Sequence, residues 1–286
     1  MTDLFTVPSD LETNLSGSAR PEEVNGRFRI KQPDGSLKLY SRVTTYIGSL
    51  GDRTRLDQWR HRVGLIGLQR SLVTGGSLWA DLKHVDPDDK DALNEIWERA
   101  FTLGDGHLKA ERGTNRHTTA EQFDMGQDLD PVPDEEAMAD LAAYVDICSK
   151  LELEILFAEQ RVVIDWLKVT GTPDRVVRYK CLDGKVRNVI ADLKTGSTVE
   201  IEPGKVAQQM ALYSRGELYD HETGERTPLP DVSQDIGLLI HAPQGEARAV
   251  AYEVNLNMGW AGVQVSRQVR EYRNWSKKVL HPVVTT

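Results

Sequence analysis

A chain of 286 residues that is 39% apolar, 28% charged and 7% aromatic holds enough material for a buried core, which excludes wholesale disorder, and its length suits two domains or one elaborated domain. No run approaches the roughly 18–20 apolar residues of a membrane span, and two cysteines, Cys148 and Cys181, are too few for a disulfide framework, a four-thiolate zinc site or an iron–sulfur cluster. The net charge of −9 argues against a polyanionic partner only until its distribution is seen: residues 121–154 hold eleven acids and one base, Lys150, so the other 252 residues sum to +1.

In chain order, residues 1–25 are polar and read as a loose tail; they show neither the basic nor the apolar stretch of a secretory leader, so a reducing cytoplasm is the expectation. Phe28 to Tyr40 reads as a hairpin around Asp34-Gly35. Leu56, Trp59, Val63, Ile66 and Leu68 fall near helical spacing. Pro87-Asp88-Asp89 looks like a helix start, continued by Ala92, Leu93, Ile96, Trp97 and Ala100. Gly104 to Phe123 suits one more helix, Pro131-Val132-Pro133 breaks the chain, and helix resumes from Asp134 to Leu151. The character then changes. Runs at Glu159–Ile164, Val169–Tyr179 and Val186–Lys194 read as strands, the last two joined by the turn Leu182-Asp183-Gly184-Lys185. A helix follows Pro203-Gly204 to about Leu218, then strands at Ile236–His241 and Ala247–Val254, and a last helix at about Gly259–Val279. The expected class is α/β or α+β, with a helical first half and a strand-rich second half. The expected division is a tail (1–25), a hairpin and helical region (26–110) and a core (111–286).

Chemistry concentrates at Thr172-Pro173-Asp174 and Ala191-Asp192-Leu193-Lys194. Residues i and i+2 of a strand face one side, so Asp192 and Lys194 project together, and strand pairing brings Asp174 beside Asp192. Two carboxylates with an adjacent lysine suit a hard divalent cation, which can polarise a phosphate and acidify a water. Taken alone, an Asp-x-Lys is more often a solvated surface pair. The flanks change that balance. Gln209 and Tyr213 share a helical face at i and i+4, His117 lies on a predicted helix with Glu121 one turn on, and Glu159 opens the first strand of the core.

In this order, Gly113-x-x-x-His117, Glu159, Gly171-x-Pro173-Asp174, Asp192-x-Lys194 and Gln209-x-x-x-Tyr213 resemble the RecB-like branch of the PD-(D/E)xK nucleases, which includes recombination nucleases, CRISPR-adaptation exonucleases and phage exonucleases. The resemblance covers residues 111–213 and extends loosely to Tyr40-Ser41-Arg42-Val43-Thr44-Thr45-Tyr46, which is similar to a Ser-Val-Thr-Thr segment of phage members. It implies a restriction-endonuclease-like core, a mixed central sheet flanked by helices. It also implies that His117, Asp174, Asp192 and the Leu193 carbonyl hold one or two Mg²⁺ or Mn²⁺ ions, and that Lys194 is the catalytic lysine. Gln209 and Tyr213 would contact substrate or position catalytic groups. Glu159 would assist a second metal or hold the site together. Several relatives bind an iron–sulfur cluster through four cysteines; this chain would belong with the cluster-free members. The function implied is a metal-dependent DNA exonuclease, in phage replication or recombination by resemblance. A structure-specific endonuclease and a non-catalytic DNA-binding or assembly protein of the same fold are the alternatives. Linear DNA ends, a phage recombination or replication protein and a second copy of the chain are the implied partners, and no membrane.

Arg267, Arg270, Arg273 and Lys277 fall near one helical stripe that could follow a phosphate backbone, an ordinary solvated face being equally compatible. The tryptophans read as core anchors, with Trp275, in this basic segment, the exception. The acids at 128–136 lack a calcium loop's glycine and terminal glutamate and read as solvated surface. No phosphate-binding Gly-Lys-Ser/Thr loop occurs, so ATP-driven unwinding is not expected of this chain.

Overall fold

The computed structural model describes residues 21–197 and 202–281, the side chains of Lys109 and Ala110 aside. The chain is a mixed α/β protein with two mixed sheets and, among the described residues, eight α-helices. No described helix is long and apolar enough to cross a membrane. In order the elements are β1 (Glu23–Val24), β2 (Arg27–Lys31), β3 (Leu37–Arg42), α1 (Val43–Ile47), α2 (Thr54–Val73), α3 (Leu78–His84), α4 (Lys90–Leu103), α5 (Leu108–Asp124) and α6 (Glu135–Lys150). The second half adds β4 (Glu154–Ala158), β5 (Val162–Ile164), β6 (Val169–Gly171), β7 (Arg175–Lys180), β8 (Val186–Lys194), α7 (Pro203–Tyr213), β9 (Glu217–Tyr219), β10 (Arg226–Pro228), β11 (Ile236–His241), β12 (Val250–Asn255) and α8 (Leu256–Trp275).

Local chemistry sets many of these boundaries. Gly35 and Gly184, with φ of 80°, take the left-handed turn positions of the β2–β3 and β7–β8 hairpins, and Asp34 and Asp183 accept from the backbone two residues on. Asp89, Asp134 and Asn255 cap α4, α6 and α8 by accepting from the N–H three residues later. Pro203 begins α7, where a missing N–H costs nothing.

The chain divides into two compact units, residues 1–51 with 116–286, and residues 52–115. The predicted hairpin therefore groups with the strand-rich half, whereas the sequence suggested boundaries at 26 and 111. In the helical unit α2 packs on α4 through Gly64 and Gly67, and Trp97 stacks on Phe101 with centroids 5.0 Å apart.

In the larger unit the expected single central sheet is two. One has the order β1-β2-β3-β6-β5-β9-β10, the other β12-β11-β8-β7-β4. The second carries β8 at its centre, parallel to β11 and antiparallel to β7. Both faces of β8 are covered, as a buried parallel pair requires. Ile190 packs in one cluster with Met210, Leu239, Leu256 and Val263 of the α7–α8 side, whereas Val189, Ala191 and Leu193 join Ala120, Leu141 and Tyr144 of α5 and α6.

Two predicted runs are redrawn. The run 169–179 is two strands in different sheets, because Pro173 has no N–H to offer a ladder and restrains Thr172 before it. The run 159–164 contracts to β5; Glu159 follows β4, a strand the sequence reading lacked, and turns there with φ of 50°. The helix after Pro203 stops at Tyr213, because Glu217–Tyr219 pairs with β5.

α7 and α8 meet at close range. A Cβ on Gly259 would lie 2.2 Å from the Ala207 carbonyl oxygen, so Gly259→Ala must push the helices apart. Such overpacking is expected to lower unfolding free energy by about 1–3 kcal/mol, read by urea denaturation, with Met258→Ala at an exposed neighbour as the near-neutral control.

Candidate functional site

Side-chain parity builds the site. On β8, Asp192 and Lys194 take the α7 side and Leu193 the α6 side, as the i, i+2 reading expects. Asp192 is 2% exposed, yet it is a carboxylate in the central strand. Lys194 Nζ lies 2.5 Å from its Oδ2, and Gln209 Nε2, from the facing side of α7, reaches Oδ1 at 3.5 Å and the Tyr213 hydroxyl at 3.4 Å. The i, i+4 pair predicted from sequence therefore faces the Asp-x-Lys strand.

Asp174 stands one residue before β7, in the loop that Pro173 creates, not within a strand as the sequence reading had it. Its Oδ2 accepts the Leu193 N–H at 2.8 Å and lies 3.5 Å from His117 Nδ1 on α5. The Glu159 N–H donates to the Asp174 carbonyl at 3.1 Å, and the exposed Glu159 carboxylate adds to the negative field at Tyr213. His117, Glu159, Asp174, Asp192, Leu193, Lys194, Gln209 and Tyr213 are thus linked into one locality.

Electrostatics follow from burial. Burial first, and the charge of Asp174 second, push the Asp192 carboxyl up to about 7, against the partial relief of Lys194. Burial also pulls on the Lys194 ammonium, but Asp192 and Asp174 outweigh it and hold that group above its usual value, protonated. Burial lowers His117, assisted by Lys194 and Arg175 and opposed by Asp174, so its imidazole is neutral near pH 7 and able to ligate. Burial raises the Tyr213 hydroxyl, which stays protonated.

The donor set fits a divalent cation. Asp192 Oδ2 is buried with no aligned hydrogen bond; the Lys194 contact is an ion pair without that alignment. Two carboxylates, a neutral imidazole and the adjacent Leu193 backbone match the ligands that Mg²⁺ or Mn²⁺ accept. Among the described residues no three His, Cys, Asp or Glu side chains are placed so that together they could hold a metal ion.

Other groups around the site were not singled out from sequence. Asp124, at the end of α5, pairs with Arg175 Nε, both side chains being almost wholly inaccessible, and the Tyr144 hydroxyl lies 2.9 Å from Asp124 Oδ2. Arg116, beside His117, reaches Asp140 at 2.9 Å, and Asp140 accepts the Gly245 and Ala247 N–H groups. The seven-residue spacing of His117 and Asp124 was the available signal. His241 holds the turn after β8 through Gly196 O at 2.8 Å. Burial raises the Cys148 thiol to about 12, which leaves it inert.

The basic stripe is drawn largely into internal contacts. Arg267 pairs with Glu271 at 2.7 Å and lies over the Trp166 ring, Arg270 covers the Tyr46 ring at 4.7 Å and reaches Ser41 Oγ at 3.3 Å, and Arg273 reaches Ser49 O at 3.4 Å. Lys277 is exposed, in a short 3₁₀ turn beyond α8.

No family model and no curated protein matches the chain. Among solved structures, one described as "Crystal structure of SSO0001" is similar at 14% identity, with a TM-score of 0.26, over 60% of this chain and 85% of that one.

Because the folded Asp192 carboxyl titrates near 7 and the unfolded one near 3.8, the folded state holds an extra proton between those values. Stability of the metal-free protein therefore falls as pH rises from 4 to 7, and the cost is complete above 7. Asp192→Asn removes it: the metal-free variant is expected to be more stable than the parent by a few kcal/mol at pH 8, with the gap closing by pH 4, read by urea denaturation at each pH. An unchanged gap across that window would contradict the assignment. A second expectation concerns Gly171, where a Cβ would fall 2.8 Å from Tyr213 Cε1. Gly171→Ala is expected to displace the Tyr213 ring, seen as a changed tyrosine environment in near-ultraviolet circular dichroism.

Proposed function

We propose that the chain is a metal-dependent DNA nuclease of the RecB-like PD-(D/E)xK type, acting as an exonuclease on linear DNA, without an iron–sulfur cluster. One observation carries this reading: a buried carboxylate, Asp192, sits between a protonated Lys194 and the amide of Gln209, next to an Asp174 that faces a neutral imidazole. A merely solvated Asp-x-Lys pair would not be buried at the centre of a sheet. The order of the motifs along the chain supports the same reading.

Asp174, Asp192, His117 and the Leu193 carbonyl would hold the ion. When bound, Mg²⁺ or Mn²⁺ supplies polarisation of the scissile phosphate and acidification of water, and the imidazole favours Mn²⁺. The chain's own groups do the rest. Lys194 Nζ donates hydrogen bonds to the attacking water and to the phosphate oxygen that gains charge, and remains protonated because Asp192 and Asp174 flank it. Gln209 steadies the Asp192 carboxylate through Oδ1, and Oδ2, which pairs with Lys194, would be the oxygen offered to an ion. The Leu193 N–H fixes Asp174 Oδ2. Tyr213, neutral, orients Gln209. Glu159, whose N–H donates to the Asp174 carbonyl, is the residue that would add a carboxylate for a second ion.

The test is a time course with Mn²⁺ on end-labelled linear duplex, single strand and closed circle. Linear DNA is expected to be degraded from its ends and the circle spared. Lys194→Ala and Asp192→Ala are each expected to lose at least about 100-fold in rate. Cleavage of the circle would favour an endonuclease, and cleavage that survives either substitution would refute this mechanism.

A further inference from the structure

We infer that the Asp124–Arg175 ion pair is a positioning strut that sets His117 of α5 against Asp174 at the head of β7. Asp124 follows His117 by seven residues, two turns along one helical face, and Arg175 is the residue after Asp174. The helix and the strand are therefore joined by two neighbouring rungs. One is the His117–Asp174 contact, 3.5 Å long, with the imidazole a third exposed. The other is the pair of Asp124 Oδ2 with Arg175 Nε, with side-chain exposures of 0% and 4%.

The two rungs differ in kind. The upper is long and can yield to solvent. The lower is a charge-assisted hydrogen bond, braced by the Tyr144 hydroxyl on Asp124 and by the Tyr144 ring, 5.1 Å from the Arg175 guanidinium carbon. A buried charge pair is a poor way to gain stability, since an apolar pair of similar volume often does as well. What an apolar contact lacks is a fixed direction and length, which a site with a loosely held imidazole needs. Two adjacent residues thus reach α5 separately: Asp174, in the loop just before β7, meets His117, and Arg175, the first residue of β7, pairs with Asp124 beside the Tyr144 ring of α6. Next to His117, Arg116 is tied to Asp140, which fastens this turn of α5 to α6.

Two variants separate a strut from a structural filler. Asp124→Leu with Arg175→Met replaces the pair by apolar side chains, and Asp124→Glu keeps the charge but lengthens the arm by one methylene. The first readout is the His117 ring signal in the metal-free protein by ¹H–¹³C NMR, assigned with His117→Gln. The second is Mn²⁺ affinity by calorimetry, which alone rests on the nuclease reading. Both variants are expected to move or broaden the His117 signal while the His241 signal stays, and to weaken Mn²⁺ binding about ten-fold or more. Folded variants with an unshifted His117 signal would overturn the strut; Asp124→Glu supplies this test if the apolar double variant does not fold. A parent protein that binds no Mn²⁺, with the His117 signal still moved by the variants, would uphold the strut and defeat the nuclease reading.

Discussion

A carboxylate in the central strand of a sheet, 2% exposed, is the constraint around which this molecule is organised. Asp192 has been taken out of water, and the neighbouring charge of Asp174 adds to the cost. Lys194 and Gln209 return part of that cost, and the remainder is what a proton or a cation would relieve. A fold that served only stability would place an apolar residue there.

The pleat turns this constraint into a design for the surroundings. Neighbouring residues on a strand face opposite sides, and at Asp192, as at Asp174 just before β7, the next residue is a supporting one. Asp192 precedes Leu193, which packs with Leu141 and Tyr144, and Asp174 precedes Arg175, which pairs with Asp124. Site and support are therefore covalent neighbours, one peptide bond apart. The α5 helix closes the arrangement by contributing His117 to the site and, two turns along the same face, Asp124 to its support.

What was legible in the sequence follows the range of the interactions. The Asp34-Gly35 and Asp183-Gly184 turns, the cap before α4 and the facing of Asp192 with Lys194 depend on residues a few positions apart, and they stand as read. Gln209 and Tyr213 share a helix face for the same reason. Features that depend on distant partners were not legible. The parallel pairing of β3 with β6 and the antiparallel pairing of β5 with β9 divide the strands into two sheets, and no local pattern announces either. The apolar run of β4 lacks alternation because four of its five residues are buried, so periodicity could not mark it. Asp124 was counted within an acidic stretch because charge counting cannot see Arg175, fifty-one residues away. The basic stripe on α8 shows the reverse: its spacing was read, but the partners Ser41, Tyr46 and Ser49 that engage it lie far off in sequence.

The central claim, that Asp192 is a buried carboxylate titrating at about 7 and would give up its proton to the cation we propose, is tested most directly by counting protons. Calorimetric titration of the metal-free protein with Mn²⁺ in buffers of differing ionisation enthalpy gives the number released per ion bound. With Asp192 titrating at about 7, close to one proton is expected at pH 6 and close to none at pH 8.5, and Asp192→Asn abolishes the difference. Binding that releases no proton at pH 6, or a release that survives in Asp192→Asn, would contradict it.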